Sequence, residues 1–153
     1  MDELRKHLLN LLDMKGAHIG FDAAIKDLAP ELRGRKPAGA PHTIWQLMEH
    51  MRIAQWDIVE FSRGAEHVSP KWPEGYWPQS DSPANDAAWK ESVRKFHHDL
   101  GEMKKLVSDE NRDLYAPIPH GDGQTLLREA LLLADHNSYH LGQLMYVRKT
   151  LEE

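Results

Sequence analysis

The sequence predicts an all-α protein, a four-helix bundle that occupies one domain over residues 1–153. Three observations predict this class. Apolar residues recur every three or four positions in four separate stretches, which is the pattern of helices with one buried face. The segments between those stretches are rich in proline and glycine, which interrupt helices. No stretch alternates apolar and polar residues as a half-buried strand does.

The first helix is predicted over residues 2–28. Its apolar seam steps by four or three residues without interruption, through Leu4, Leu8, Leu11, Met14, His18, Phe21, Ile25 and Leu28. His18 is the polar ring on that seam, and a buried imidazole needs a hydrogen-bonding partner. The connector "APELRGRKPAGAP" then ends the helix because its prolines cannot continue it.

The second helix is predicted over residues 43–63. Thr43 can cap the free amides of the first turn while Gln46 bonds back to it, which is the capping-box pattern. Gly64 is the expected stop. The apolar face of this helix comprises Ile44, Leu47, Met48, Met51, Ala54, Ile58 and Phe61.

The third helix is predicted over residues 83–107, with Ser82 and Pro83 as its start. The connector before it, "AEHVSPKWPEGYWPQSDS", could stretch roughly 60 Å, enough to traverse a whole 30 Å helix. We therefore expect the second and third helices to be parallel neighbours joined by a crossover connection. The apolar seam of the third helix is Trp89, Val93, Phe96, Leu100, Met103 and Val107.

The fourth helix is predicted over residues 125–149. It starts at Thr125 and carries a stripe of mostly apolar residues, Leu126, Ala130, Leu133, Asn137, Leu141 and Leu144.

The composition limits the chemistry and the partners. The chain has no cysteine, which excludes disulfides, a thiolate zinc site and a cysteine nucleophile. A net charge of −5 argues against nucleic acid as a partner, since phosphate binding needs a basic face. The first apolar run is short and flanked by charges, unlike a secretory signal or a membrane span. We therefore expect a cytoplasmic protein with no membrane partner.

The stretch "DHNSYHLGQL" places His136 and His140 one turn apart on the fourth helix. Side chains at i and i+4 share a helix face, so the two rings can bind one divalent cation. His50, at the border of the apolar face of the second helix, offers a third imidazole, and three neutral histidines plus water form an open catalytic metal shell. Asn137 stands where the zincin motif has its glutamate, which disfavours a metalloprotease. With ten histidines in the chain, a pair that binds no metal is the alternative.

Two longer stretches carry a family resemblance: "HTIWQLMEHMRIAQWDIVEF" in the second helix and "GQTLLREALLLADHNSYHLGQLMYVRK" in the fourth. They resemble the DinB/YfiT-like superfamily of metal-dependent four-helix-bundle proteins, over most of the chain. In that family one histidine of the second helix and two of the fourth bind a divalent metal, which implies His50, His136 and His140 as ligands here. The resemblance implies nickel or zinc, with iron or manganese as alternatives.

The same resemblance implies a metal-dependent enzyme, either a thiol transferase or a hydrolase, acting on a small molecule. A low-molecular-weight thiol is a candidate cofactor or co-substrate, because some members transfer thiols such as bacillithiol or mycothiol. Two other functions stay open: non-catalytic binding of a metal or small ligand, and a helical interaction module without a metal. A homodimer also stays open.

The sequence identifies no catalytic residue. Asp57, seven positions after His50, and His18 on the first seam are the candidates, and Glu129, seven before His136, is a third. Seven residues return to the same helix face about 10 Å away, so neither carboxylate is expected to be a direct ligand.

Two further features call for a structural explanation. Gly142 in a helix interior costs about 1 kcal/mol relative to alanine, and close approach of a neighbouring helix would account for it. The connector from Trp72 to Trp77 is expected, together with His18, at the pocket or its rim. A dimer surface or ordinary packing against the bundle is the alternative for this connector.

Overall fold

The computed structural model of the protein describes residues 2–153, and within that range it contains helices and no β-sheet. The all-α class is therefore as predicted. Five α-helices follow one another along the chain: α1 (Glu3–Leu12), α2 (Phe21–Ile25), α3 (Ile44–Arg63), α4 (Asp86–Ser108) and α5 (Leu126–Glu152). Two short 3-10 turns, Pro30–Leu32 and Glu74–Tyr76, lie in the connectors.

The predicted continuous first helix over residues 2–28 is wrong, because the chain breaks between α1 and α2. Met14 adopts a left-handed φ of 54°, and the amides of Met14 and Lys15 bond back to carbonyls in the last turns of α1. This pair of bonds is the Schellman ending of a helix. Gly16 follows with a φ of 113°, a region that favours glycine. The apolar spacing continues across the break, so periodicity did not reveal it.

The second predicted helix is confirmed as α3. Thr43 accepts a hydrogen bond from the Gln46 amide, and the Gln46 side chain accepts one from the Thr43 amide, so the capping box is present. The helix ends at Gly64 as expected. Because the capping box fixes where α3 begins, it also fixes the position of His50 along the bundle axis.

The helix α4 begins three residues later than the Pro83 start that the sequence suggested. The preceding segment is bound to the start of α3: the Thr43 hydroxyl donates to the carbonyl of Asp81, and the Trp45 indole donates to the hydroxyl of Ser80. Asn85 is the N-cap instead, and its side chain accepts from the Ala88 amide. The helix α5 begins after its N-cap Thr125, as expected, and runs three residues beyond the predicted end at 149.

The helices α3 and α4 run in the same direction. Their contacts follow the same order along both: Trp45 lies near Trp89, Gln55 donates to the Phe96 carbonyl, and Arg63 reaches Glu102. The helix α5 runs the opposite way against α3, because its contacts with α3 occur in reverse order, His140 at the level of His50 and Asn137 at that of Gln55.

The core consists of two apolar clusters. One contains residues from the beginning of α3, the beginning of α4 and the end of α5, and the other contains residues from α1 and the opposite halves of those helices. Between them the Asn137 amide donates to Gln55, which donates in turn to the Phe96 carbonyl. This buried polar layer fixes the register of three helices at one level.

No helix in the described part of the chain has both the length and the apolar character that a membrane span requires.

Candidate metal centre

The rings of His50, His136 and His140 converge between α3 and α5. The Nε2 atom of His50 lies 3.1 Å from Nε2 of His140 and 3.0 Å from Nε2 of His136. One nitrogen from each ring falls within 4.8 Å of the others. A tetrahedral ion with bonds of about 2.0–2.1 Å would place its ligand nitrogens roughly 3.3 Å apart, so the two distances from His50 are close to those of a metal site.

Two hydrogen bonds decide which nitrogen of His50 and which nitrogen of His140 faces the centre. His50 Nδ1 lies 2.9 Å from the Tyr76 carbonyl, and His140 Nδ1 lies 2.7 Å from Gln143 Oε1. Both partners are acceptors, so each Nδ1 carries a proton and each Nε2 presents a lone pair. His136 can donate one proton to the group at most. The contact between His50 and His140 therefore has no proton available, and two lone pairs that face each other are compatible with a cation between the rings.

Burial also keeps these imidazoles neutral, as metal ligands must be. Desolvation lowers the pKa of His50 to about 4 and that of His136 to about 3, with a further lowering from the neighbouring histidines. Burial lowers the pKa of His140 as well. At neutral pH all three rings are uncharged and able to donate electron pairs.

The connector between α3 and α4 covers one side of the cluster. The Trp77 indole stacks on the His50 ring with centroids 3.9 Å apart and planes within 1°, and it stacks on His42 at 4.0 Å. Two rings at such distances from one indole cannot occupy the same face, so Trp77 lies between the two imidazoles. Trp72, in contrast, is 69% exposed and meets the edge of Tyr76.

A cleft of about 580 Å³ lies beside the cluster, between residues 37–42 and the last turns of α5. We call it the α5 cleft. It is lined by Pro37, Ala38, Gly39, Ala40, Pro41, His42, Leu47, Tyr139, Gly142, Gln143, Tyr146, Val147 and Thr150.

Asp57, a catalytic candidate from the sequence, binds the connector instead of pointing an open carboxylate at the cluster. One oxygen lies 2.6 Å from His67 Nε2 and the other accepts the Tyr76 hydroxyl at 2.6 Å. Burial and the adjacent Asp57 carboxylate raise the pKa of Tyr76 to about 12, so this hydroxyl keeps its proton. Asp57 therefore acts on His50 indirectly, by holding the residue whose carbonyl orients that ring.

The other sequence candidates lie outside the cluster. His18 falls in the break between α1 and α2, where it is exposed and its Nε2 lies 3.3 Å from the Ser138 hydroxyl. Glu129 is buried in the first turns of α5 and pairs with Arg128 at 2.6 Å. A Cβ atom built on Gly142 would meet nothing within 4 Å, so close helix approach is not the reason for this glycine.

Sequence reasoning missed the residues that orient two of the three rings, and it missed His42, which stacks on Trp77. Gln143 stands three positions after His140 on one helix, and that spacing could have predicted their contact. Tyr76 acts through its backbone carbonyl, which leaves no side-chain signal. His42 lies in a connector, where periodicity says nothing of position.

Comparison with known proteins gives a family and no individual relative. A family model described as the DinB superfamily matches residues 20–144, which is most of the chain and includes all three histidines. Searches of curated proteins and of solved structures gave no significant match.

Proposed function

The chain belongs to the DinB superfamily, and from that premise we propose that it is a metal-dependent enzyme whose divalent ion binds His50, His136 and His140. One observation carries the proposal. Three imidazole nitrogens converge, and the two fixed by hydrogen bonds present lone pairs to each other at 3.1 Å. The connector and Gln143 hold those rings in the orientation that a metal ligand needs.

The donor set favours zinc or nickel over iron or manganese. All three donors are imidazoles, which suit zinc and nickel, whereas manganese prefers oxygen ligands and non-haem iron usually has a carboxylate. Within residues 2–153, the cluster of side chains that could bind an ion consists of the three histidines and contains no Asp or Glu. Three protein ligands leave a coordination position for a substrate, unlike the closed shell of a structural zinc site.

Thiol transfer to an electrophile is the reaction that the site supports best. An ion held by three neutral ligands keeps its full charge and would lower the pKa of a bound thiol or water. A thiol has a far lower starting pKa than water and needs less help from a base. Both oxygens of Asp57, the carboxylate that the sequence suggested as a base, are already engaged. In the transfer, the thiol proton goes to solvent, sulfur forms a bond to the electrophilic carbon, and the leaving group departs with the bonding pair.

The test combines metal content with turnover. Protein purified without an affinity tag is analysed for metals and assayed with a panel of thiols and electrophiles. We expect about one equivalent of zinc or nickel and measurable transfer in the wild type. His136→Ala should lose both metal and turnover while circular dichroism stays unchanged. His7→Ala, which removes an exposed histidine of α1, should retain both.

The results separate the alternatives. Full turnover in metal-free His136→Ala protein would exclude a role for the metal. Stoichiometric metal without turnover on any thiol, ester or amide would favour a binding protein. Hydrolysis by the metallated protein in the absence of any thiol would identify the reaction as hydrolysis and not as thiol transfer.

A further inference from the structure

The walls of the α5 cleft are mainly apolar. Pro37, Ala38, Ala40, Pro41, Leu47 and Val147 form much of its surface. Its volume of about 580 Å³ lies within the range of 300–1,000 Å³ that is typical of sites for drug-sized ligands. A cleft of this size and character favours a small molecule with an apolar body.

The polar lining of the α5 cleft carries no formal charge. None of the residues that line it is Asp, Glu, Lys or Arg. The polar groups are the hydroxyls of Tyr139, Tyr146 and Thr150, the amide of Gln143 and the ring of His42. A charged ligand would lose hydration on entry, and no lining residue would offer it an opposite charge, so the walls select against charge. Lys36 lies outside the lining, although burial and the charge of Lys36 together lower the pKa of His42.

Aromatic rings form part of the opening. Tyr139 is 63% exposed and Tyr146 is 73% exposed, both on the side of α5 that faces the cleft. A ligand with a ring could stack on these side chains and remove their surface from water.

The cleft shares residues with the surroundings of the candidate metal centre. Gln143 lines it and also accepts the hydrogen bond of His140. The Tyr139 ring meets the His140 ring edge at 4.8 Å, and His42 stacks on the indole that covers His50. A ligand in the cleft therefore lies one residue away from His140, whereas the Trp77 indole separates His42 from His50.

Gly142 keeps the α5 cleft open. It lines the cleft in the interior of α5, and a Cβ atom there would meet nothing within 4 Å. A larger side chain at this position would extend into unfilled space, so it would occupy the cleft without a clash against the core.

We propose that the α5 cleft binds an uncharged, ring-containing apolar molecule. The proposal rests on the proposed function in taking this molecule as the electrophilic substrate of the adjacent metal centre. This assignment distinguishes the ligand of the cleft from a highly charged thiol, because a thiol with a carboxylate would meet no cationic side chain among the residues that line the cleft.

A matched pair of fluorescent probes tests the chemical class. N-phenyl-1-naphthylamine is uncharged and apolar, and 1-anilinonaphthalene-8-sulfonate has the same rings with a sulfonate added. We expect saturable binding of the uncharged probe at one site per chain and at least about tenfold weaker binding of the sulfonate. Equal or tighter binding of the sulfonate would overturn the assignment of an uncharged ligand.

A pair of glycine variants tests the location. Gly142→Phe should reduce affinity for the uncharged probe at least about tenfold. Gly101 lies within a different helix, α4, and outside the α5 cleft; its replacement by Phe fills equally free space, and that variant should bind the probe like the wild type. Circular dichroism and thermal unfolding establish that both variants fold. Unchanged binding by folded Gly142→Phe protein would overturn the proposal.

The same measurements on His136→Ala separate this inference from the proposed function. If the wild type contains no metal and the probe still binds to His136→Ala, the metal centre is refuted and the cleft remains a binding site. A metallated wild type that does not bind the uncharged probe would leave the metal centre and refute the cleft.

Discussion

At the scale of single residues, two acceptors set the chemistry of the candidate metal centre. The Tyr76 carbonyl and Gln143 Oε1 each accept a hydrogen bond from Nδ1 of a histidine and so direct its Nε2 inward. Such outer contacts commonly change metal affinity by 10- to 100-fold. The site therefore depends on more residues than its three candidate ligands.

Replacing Gln143 tests this orientation directly. Gln143→Leu removes the acceptor of His140 and should weaken zinc binding by about 10- to 100-fold, because the ring loses its fixed tautomer. Gln143→Glu retains an acceptor at the same position and should restore most of the affinity. Competition with a zinc-sensitive dye measures both. Wild-type affinity in Gln143→Leu would mean that this contact does not orient the ligand.

The three candidate ligands could be selected from the sequence, whereas their partners could not. His136 and His140 share a helix face by spacing, and His50 was selected by its place on α3 and by the family resemblance. The carbonyl of Tyr76 comes from a connector whose path depends on tertiary packing. The prediction for His18 depends on a continuous helix over residues 2–28, which the chain does not form.

At the scale of elements, the connector between α3 and α4 works as a clamp on His50. Trp77 stacks on the His50 ring, and the Tyr76 carbonyl accepts a hydrogen bond from Nδ1 of that ring. Asp57 on α3 accepts a hydrogen bond from the Tyr76 hydroxyl. A segment with little regular structure is thereby attached to the helix that carries the ligand.

Tyr76→Phe should loosen this clamp. It removes the hydroxyl that Asp57 accepts but keeps the ring and the backbone carbonyl, so we expect zinc affinity to fall by up to about tenfold with unchanged helicity. The fluorescence of Trp77 should also change as its stacking loosens. Tyr115→Phe, at an exposed tyrosine in another connector, is the control. If the two variants bound zinc equally well, Asp57 would have no positioning role.

Two glycines should respond to the same substitution with opposite signs. Gly16→Ala should destabilise the protein by about 1 kcal/mol, because alanine is strained at a φ of 113°. Gly142→Ala should stabilise it by up to about 1 kcal/mol, because alanine favours a helix interior and meets no neighbour. Urea unfolding of the two variants gives both values. Stabilisation by Gly16→Ala would contradict the positive φ of this residue.

Element boundaries were predictable where a local signal marks them. The capping box and Gly64 delimit α3, and Thr125 begins α5. The break after α1 was not predictable from spacing, because periodicity reports which face is buried and not whether the chain is continuous. The start of α4 depends on contacts between its connector and α3, which no local pattern records.

At the scale of the whole molecule, the bundle brings three imidazoles of two helices to one level. The hydrogen bonds from Asn137 to Gln55 and from Gln55 to the Phe96 carbonyl join α5, α3 and α4 next to the cluster. Burial of the rings in the bundle keeps them neutral by lowering the pKa of His50 and of His136. Folding thus prepares the site and makes stability depend on pH.

Metal-free protein should lose stability as the pH falls from about 6.5 towards 4. An unfolded histidine has a pKa near 6.5, whereas burial holds the pKa of His50 at about 4 and that of His136 at about 3. The unfolded chain then binds protons that the folded chain does not, so this contribution is present above pH 6.5 and is lost on acidification. Each such histidine adds up to about 1.4 kcal/mol per pH unit to the slope.

Urea unfolding with a chelator at pH 5–6.5 measures this slope, in a range where most carboxylates remain ionised. His136→Gln should lower the slope by about one proton. An identical slope in the variant and the wild type would show that His136 is not protected from protonation in the fold.

Anomalous diffraction tests the central claim most directly. Crystals grown with equimolar zinc, measured above and below the zinc absorption edge, should show one strong peak per chain. We predict that it lies about 2.0–2.1 Å from Nε2 of His50, His136 and His140. A peak bound to other residues, or no peak among these three rings in zinc-containing crystals, would contradict the account.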